Sequence, residues 1–394
     1  MPTPASPSPE STALDAAPVH RIPSDAGDGG PKPGTALCLS GGGYRAMLFH
    51  VGALWRLNEA GMLRDLKRIS SVSGGSITAG VLGLRWKALD FDDAGVARAF
   101  DEQLTKPIRR LAGKTIDQGA VLGGVLLPGS VADRVEKAYR TVLFGDATLQ
   151  DLPADGEGPR FVINATNVQS GVLWRFSRPY MGDWRVGLVR QPRLPLARAV
   201  AASSAFPPVL SPVVLDLDPD EFEAGSGHGL ERDAFRDEVV LSDGGVYDNL
   251  GLETAWKRHQ TILVSDGGGR FEPDSDPDRD WVRHAARILA IVDSQVRSLR
   301  KRQVVGALKR GERTGAYWGI WTDAADFGVA DALPCPVEKT AKLAATPTRL
   351  KKLDDAAQER LINWGYAACD GALRAFHATS LPRGAFPYPA SGLG

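Results

Sequence analysis

Ile69-Ser70-Ser71-Val72-Ser73-Gly74-Gly75-Ser76 decides how this chain folds. An apolar run of strand length ends in a serine flanked by small residues, and residues 76–86 then take up helical spacing. The same grammar occurs earlier. Ala36-Leu37-Cys38-Leu39 reads as a strand, Ser40-Gly41-Gly42-Gly43 as a turn, and residues 46–57 as a helix. Two strand-turn-helix units in succession predict an α/β protein whose strands lie side by side under helices.

The two turns differ in chemistry. Three consecutive glycines permit positive φ and close approach, so several backbone N–H groups can converge on one point at a helix N-terminus, where negative charge is favoured. A phosphate or a tetrahedral oxyanion would suit that cradle, and Arg45 beside it suits either. The spacing Gly-x-x-x-x-Gly-Lys-Ser/Thr is absent, and no third fingerprint glycine follows at the dinucleotide spacing. The second turn resembles a nucleophile elbow, with Ser71-Val72-Ser73-Gly74-Gly75 standing for Gly-x-Ser-x-Gly. Serine replaces the first glycine, a mild departure where only small side chains fit. Read alone, this stretch is equally a Ser/Gly turn that caps a helix.

A third strand, Val239-Val240-Leu241-Ser242, ends in Asp243-Gly244-Gly245, placing a carboxylate at a strand's C-terminal edge, where open α/β sheets carry their sites. Asp266, in Val264-Ser265-Asp266-Gly267-Gly268-Gly269, ends a strand in the same manner and is the rival carboxylate.

Together, Gly41-Gly42-Gly43-x-Arg45, Ser71-x-Ser73-Gly74-Gly75 and Asp243-Gly244-Gly245 resemble the motif set of the patatin-like phospholipase family. Phe161-Val162-Ile163-Asn164-Ala165-Thr166, the segment 200–208 and Val246-Tyr247-Asp248-Asn249-Leu250-Gly251 add to the likeness, which covers residues 35–270 and weakens beyond. The resemblance implies a three-layer α/β fold, a central mostly parallel sheet between helices, related to α/β-hydrolases. It implies a lipid acyl hydrolase with a Ser73–Asp243 dyad and an oxyanion hole drawn from Gly41, Gly42, Gly43, Arg45 and Gly74. No cofactor or metal is called for. Asp243 is favoured over Asp266 because the family's Asp-Gly-Gly motif is matched there together with Asn249 and Leu250. Ser76 lacks the flanking glycine of a nucleophile, and Asp248 reads as a turn residue.

A carboxylate with an ordinary pKa of about 3.9 is a poor base at neutral pH, so such a dyad needs a desolvated aspartate. None of the six histidines lies in a triad motif; His50, among apolar neighbours, reads as a packed core residue. Two other classes stay open: a small-ester or thioester hydrolase on the same scaffold, and a non-catalytic protein whose glycine loop holds a phosphate or lipid headgroup.

The rest of the chain sets boundaries. Residues 1–34 hold eight prolines with few apolar neighbours and read as a disordered arm. Residues 35–380 read as one catalytic domain with a helical C-terminal part, and 381–394, rich in Pro and Gly, as a flexible tail. Lys and Arg total 47, as do Asp and Glu, which argues against nucleic acid as a partner. The expected partner is a lipid substrate met by transient contact with a membrane or micelle surface; oligomeric state leaves no mark. The absence of a secretory leader or an 18-residue apolar span points to a cytoplasmic or peripheral protein. Cys38, Cys335 and Cys369 have no metal or disulfide spacing. The acidic runs 216–223 and 274–280 read as solvated loops; the second has Arg279 where a calcium loop needs glycine. Residues 161–176 read as a hairpin and 196–205 as a small-residue helix containing Ser203 and Ser204 as packing residues. The apolar stretch 120–128 reads as a buried segment or a flap. Helices dominate from Trp281, with Arg297, Arg300, Lys301, Arg302, Lys309, Arg310 and Arg313 as a wet face or a headgroup contact.

Overall fold

Alternation gives way to continuous burial where the chain enters its sheet, as expected of strands covered on both faces. Lys32–Leu39 (β1) is exposed at its start and wholly buried over Ala36-Leu37-Cys38-Leu39. The computed structural model describes residues 30–116 and 130–394, so the stretch 120–128 lies outside the described residues, as does nearly all of the N-terminal arm. After β1 come α1 (Gly43–Glu59), β2 (Arg68–Val72), α2 (Gly74–Leu84), α3 (Lys106–Ala112) and α4 (Ser130–Tyr139). Next are β3 (Arg160–Asn167), β4 (Val172–Phe176), β5 (Tyr180–Asp183), β6 (Gly187–Arg190), α5 (Leu196–Ser203), β7 (Val213–Asp216) and β8 (Glu238–Asp243). The short helices α6 (Gly245–Asp248) and α7 (Glu253–Trp256) lead to β9 (His259–Asp266), α8 (Trp281–Lys309), β10 (Thr314–Gly319), α9 (Val337–Ala344) and α10 (Asp355–Phe376).

The sheet has ten strands, ordered β10-β9-β1-β2-β3-β4-β5-β6, with β8 pairing both β3 and β7. Its first half, β10 through β3, is parallel. Beyond β3 every pairing is antiparallel, so the sheet is mixed: the expected parallel arrangement holds for the half that carries the two glycine turns. The hairpin at 161–176 is β3 and β4, whose Trp174 and Phe176 are buried.

Helix α1 packs between the sheet and α10. A Cβ on Gly52 would lie 1.9 Å from the Ile362 carbonyl, and one on Gly365 would lie 1.8 Å from that of Phe49. Two glycines thus let the helix backbones touch where they cross. The segment after Leu381 corrects the expectation of a flexible tail. Asn363 of α10 donates to the carbonyls of Tyr388 and Gly392, Arg56 donates to Pro382, and Leu393 is buried. Its prolines shape a strap that lacks regular backbone hydrogen bonds, so polar side chains of α1 and α10 satisfy it instead. Among the described residues, no helix is long and apolar enough to cross a membrane.

Candidate active site

The site originates in an irregularity of the sheet. Strand β2 pairs with β3 in parallel, from Arg68 opposite Arg160 to Val72 opposite Asn164. Strand β8 pairs with β3 in the opposite sense, from Leu241 opposite Asn167 to Asp243 opposite Ala165. The other edge of β3 is taken by β4 over Ile163 to Asn167. Strands β2 and β8 therefore share one edge of β3 and run into each other end to end. Val72 and Asp243 sit at successive registers, and the chain must leave the sheet at both ends.

It leaves β2 through Ser73, whose φ of 51° and ψ of −119° are those of a strained turn that a serine adopts only when its surroundings impose it. The elbow is braced by α5. The Ser73 N–H donates to Ser203 Oγ at 3.0 Å, and Ser203 Oγ donates to the Asn164 carbonyl at 2.6 Å. Ser76 hydrogen-bonds with Ser203 and with Ser71 and is fully buried, so it belongs to the brace. Ser73 keeps slight exposure, at 9%.

The glycine turn passes directly over the elbow. A Cβ on Gly41 would stand 3.2 Å from Ser73 Cβ, and one on Gly74 would stand 2.3 Å from the Gly43 carbonyl oxygen. Gly42 and Gly43 have φ of 147° and 60°, conformations that favour glycine. Of the expected anion donors, Gly41 is already engaged, its N–H donating to the Asn249 carbonyl at 3.1 Å. The N–H groups of Gly42, Gly43 and Gly74 have no hydrogen-bond partner among the described residues. Arg45, expected beside them, turns its guanidinium to backbone carbonyls: Nε donates to Gly267 at 3.1 Å and Nη1 to Thr346 at 2.5 Å. It ties the turn to two loops, Gly267 after β9 and Thr346 after α9, because those carbonyls have no regular strand or helix partner.

Ser73, Asp243 and Gly41, Gly42 and Gly43 open on one cavity of about 460 Å³. An apolar lip from Phe206 to Leu210 forms one wall; Asn249, Asp293 and the arginines 270, 297 and 349 contribute the polar lining. Asp243 is 2% exposed, and its Oδ1 accepts the Gly245 N–H at 2.7 Å. Burial pushes its carboxyl up to about 7; the Gly245 N–H and the Ser73 hydroxyl oppose that rise, and the nearby Asp293 carboxylate adds to it. Oδ2 makes no hydrogen bond of full geometry, so the Ser73 hydroxyl stands beside the carboxylate without being locked to it.

Asp266 is equally buried but lives in another electrostatic world. Burial works to raise its carboxyl, yet Lys301 at 2.6 Å, the Tyr317 hydroxyl at 2.7 Å and the Gly268 N–H outweigh it and hold it well below the usual carboxylate range. It is not among the residues lining the cavity. Asp248 accepts the N–H groups of Leu250 and Glu253, as a turn residue does. His50 is buried, hydrogen-bonded to Ser265 Oγ and the Ser40 carbonyl, and depressed by burial to about 4, which keeps it neutral. Because a carbonyl can only accept, Nε2 of His50 carries the proton.

Of the basic region read as a wet face or headgroup contact, three residues are partly buried and paired with acidic side chains, whereas Arg302, Lys309 and Arg310 are exposed. Arg297 pairs with Asp293, Arg300 with Glu253, and Lys301 with Asp266. Sequence reasoning missed Asp293 and Arg297 as cavity residues, because their helical spacing shows that they share a face but not what that face meets. It missed the Ser203 brace for a similar reason: its three partners come from three separate elements.

Fold and site together define an α/β protein built on a mixed ten-stranded sheet, with a strained serine, a buried aspartate and a triple-glycine turn sharing one cavity. The sequence model of the patatin-like phospholipases matches residues 37–256, and the chain belongs to that family. Among solved structures it is similar to human GIVD cytosolic phospholipase A2, at 13% identity and TM-score 0.47, over 85% of this chain and 60% of that one. The complex of that enzyme with methyl gamma-linolenyl fluorophosphonate gives 16% identity and TM-score 0.47, over 86% and 57%. VipD from Legionella pneumophila gives 16% identity and TM-score 0.33, over 86% and 66%. The chain thus spans about 60% of the length of the human phospholipase it matches. No match is found among curated proteins.

Proposed function

We propose that this chain is a serine-dependent lipid acyl hydrolase that cleaves carboxylic esters of phospholipids through a Ser73–Asp243 dyad. The observation that carries the reading is the pairing of a strained, slightly exposed serine with a desolvated carboxylate whose pKa lies near 7, beneath unsatisfied backbone N–H groups. An aspartate near 7 is a competent base at physiological pH, which an ordinary one is not. Asp243 takes the Ser73 proton as Oγ bonds to the substrate carbonyl carbon. The resulting oxyanion is held by N–H groups of Gly42 and Gly43, joined by Gly74, each such donor being worth about 2.7–4 kcal/mol in comparable sites. The ester C–O bond then breaks, the departing alcohol takes the proton from Asp243, and the acyl group remains on Ser73. Water repeats the sequence: Asp243 removes its proton, hydroxide adds to the acyl carbon, and Ser73 leaves protonated with release of the fatty acid.

The cavity's composition supports a phospholipid over a neutral ester. Its apolar lip suits an acyl chain, and Arg270 and Arg349 in its lining suit a phosphodiester, Arg297 being paired with Asp293. A fluorophosphonate probe tests the chemistry: the native chain is expected to label, and Ser73→Ala is not. Turnover of phosphatidylcholine, triglyceride and a short-chain nitrophenyl ester tests the substrate. Cleavage of the short ester alone makes the chain a small-ester hydrolase, and no labelling at all makes it a binding protein.

A further inference from the structure

The first half of α8 has its apolar residues on the outside. Ile288-Leu289-Ala290-Ile291-Val292 is exposed along its whole length, Ile288 at 48% and Val292 at 53%, and Trp281 at the helix start is 83% exposed. Trp281, Ile288, Val292 and Leu299 fall on one stripe of the helix, whereas Asp293, Arg297 and Lys301 fall on another and pair inward. A surface helix ordinarily does the reverse. The same helix walls the catalytic cavity through Asp293 and Arg297, and the lip of that cavity adds Phe206 and Val209, themselves exposed at 49% and 41%. Exposed apolar side chains therefore stand both on the lip of the cavity and on the outer face of the helix whose other face lines it.

We infer that the first four turns of α8, with Phe206 and Val209, form a docking surface that inserts into a zwitterionic lipid surface and presents the cavity to it. The inference rests on the reading of the cavity as a lipid site. Charge balance selects the kind of surface. Between residues 270 and 287 the chain carries five carboxylates and four arginines, and Arg283 is already paired with Asp278 and Asp280. Such a rim gains little from anionic lipid, so attachment comes from apolar insertion with an aromatic side chain at the interface. A second copy of the chain is the alternative occupant of the same stripe.

The test uses the full chain carrying Ser73→Ala, so that vesicles survive the measurement and docking can fail independently of catalysis. Cosedimentation with phosphatidylcholine vesicles is expected to be as strong as with vesicles containing phosphatidylserine, and insensitive to salt. Adding Ile288→Ser and Val292→Ser, both at exposed positions, is expected to weaken binding roughly a hundredfold. In the active background the same pair is expected to lower vesicle-lipid hydrolysis in parallel while leaving a soluble short-chain ester untouched. Unchanged vesicle binding in the double variant overturns the inference. So does binding that requires phosphatidylserine and vanishes in salt, or a dimer that the double variant dissociates while vesicle binding persists. Absence of hydrolysis with every substrate, alongside the expected binding, overturns the catalytic reading and leaves the surface standing.

Discussion

Asp243 and Asp266 make a controlled comparison within one molecule. Each ends a strand, each is followed by glycines, and each is almost completely buried. Burial alone pushes both carboxyls upward; what separates them is an ammonium beside one and a second carboxylate beside the other. Lys301 sits 2.6 Å from Asp266 and makes it a permanent anion, whereas Asp243 faces a hydroxyl, one backbone N–H and a like-charged Asp293, and rises to about 7. The strand-Asp-Gly-Gly motif thus supplies a position, and the neighbours contributed by α8 decide whether the carboxyl there rises toward neutral pH or is held as a permanent anion.

The comparison can be broken by exchanging the two carboxylates for amides. Asp243→Asn is expected to lower kcat/KM on a phospholipid by about a thousandfold or more, through loss of the general base. Asp266→Asn is expected to leave the folded enzyme's kcat/KM within a few fold. It should nevertheless cost about 3 kcal/mol of stability in denaturant titration, the low end for breaking a buried pair because Lys301 is a third exposed. Loss of activity with Asp266→Asn, and retention with Asp243→Asn, would reverse the assignment.

Their pH dependences should run in opposite directions. The folded pKa of Asp243 lies above its unfolded value, so its native carboxyl holds a proton that the unfolded chain has released between about 4 and 7. Stability from this group is therefore present at low pH and lost as pH rises through about 7. Asp243→Asn should accordingly raise the unfolding free energy at pH 8 by up to roughly 4 kcal/mol, read by denaturant titration, and gain nothing at pH 4. Asp266, depressed by Lys301, contributes stability above its unfolded pKa that disappears as pH falls below about 4. Activity should follow Asp243 alone, with kcat/KM climbing through an apparent pKa of about 7. A profile already flat from pH 5 upward would remove Asp243 as the base.

The smallest effect is expected at the brace. Ser203→Ala leaves both the Ser73 N–H and the Asn164 carbonyl without their hydroxyl partner, and should cost about 1–2 kcal/mol of stability. As a positioning change it should lower kcat about tenfold with KM unchanged. Glycine at the same position should behave like alanine, whereas threonine, which keeps the hydroxyl, should restore part of the rate.

The glycine turn, the elbow and the Asp243 strand end were legible because each is a local event: a strand stops, a small residue turns and a helix begins within a few positions. Two strands meeting nose to nose on one edge of β3 were not, since nothing in residues 68–72 or 238–243 announces a shared edge. The inward course of Arg300 and Lys301 was hidden for a related reason. A basic run looks alike whether it faces water or a buried carboxylate, and only the placement of Glu253 and Asp266 opposite it decides. The C-terminal strap was misread because proline and glycine mark the absence of regular structure, which is a different matter from the absence of contacts.

The meeting of β2 and β8 on β3 also gives the molecule a calendar. A ribosome delivers Ser73 well before Asp243, and the shared edge of β3 is complete only when β8 has paired with it. Until β8 arrives, the Ser73 hydroxyl has no Asp243 carboxylate beside it. On the proposed Ser73–Asp243 reading, hydrolysis must therefore wait for the last strand of that edge to pair.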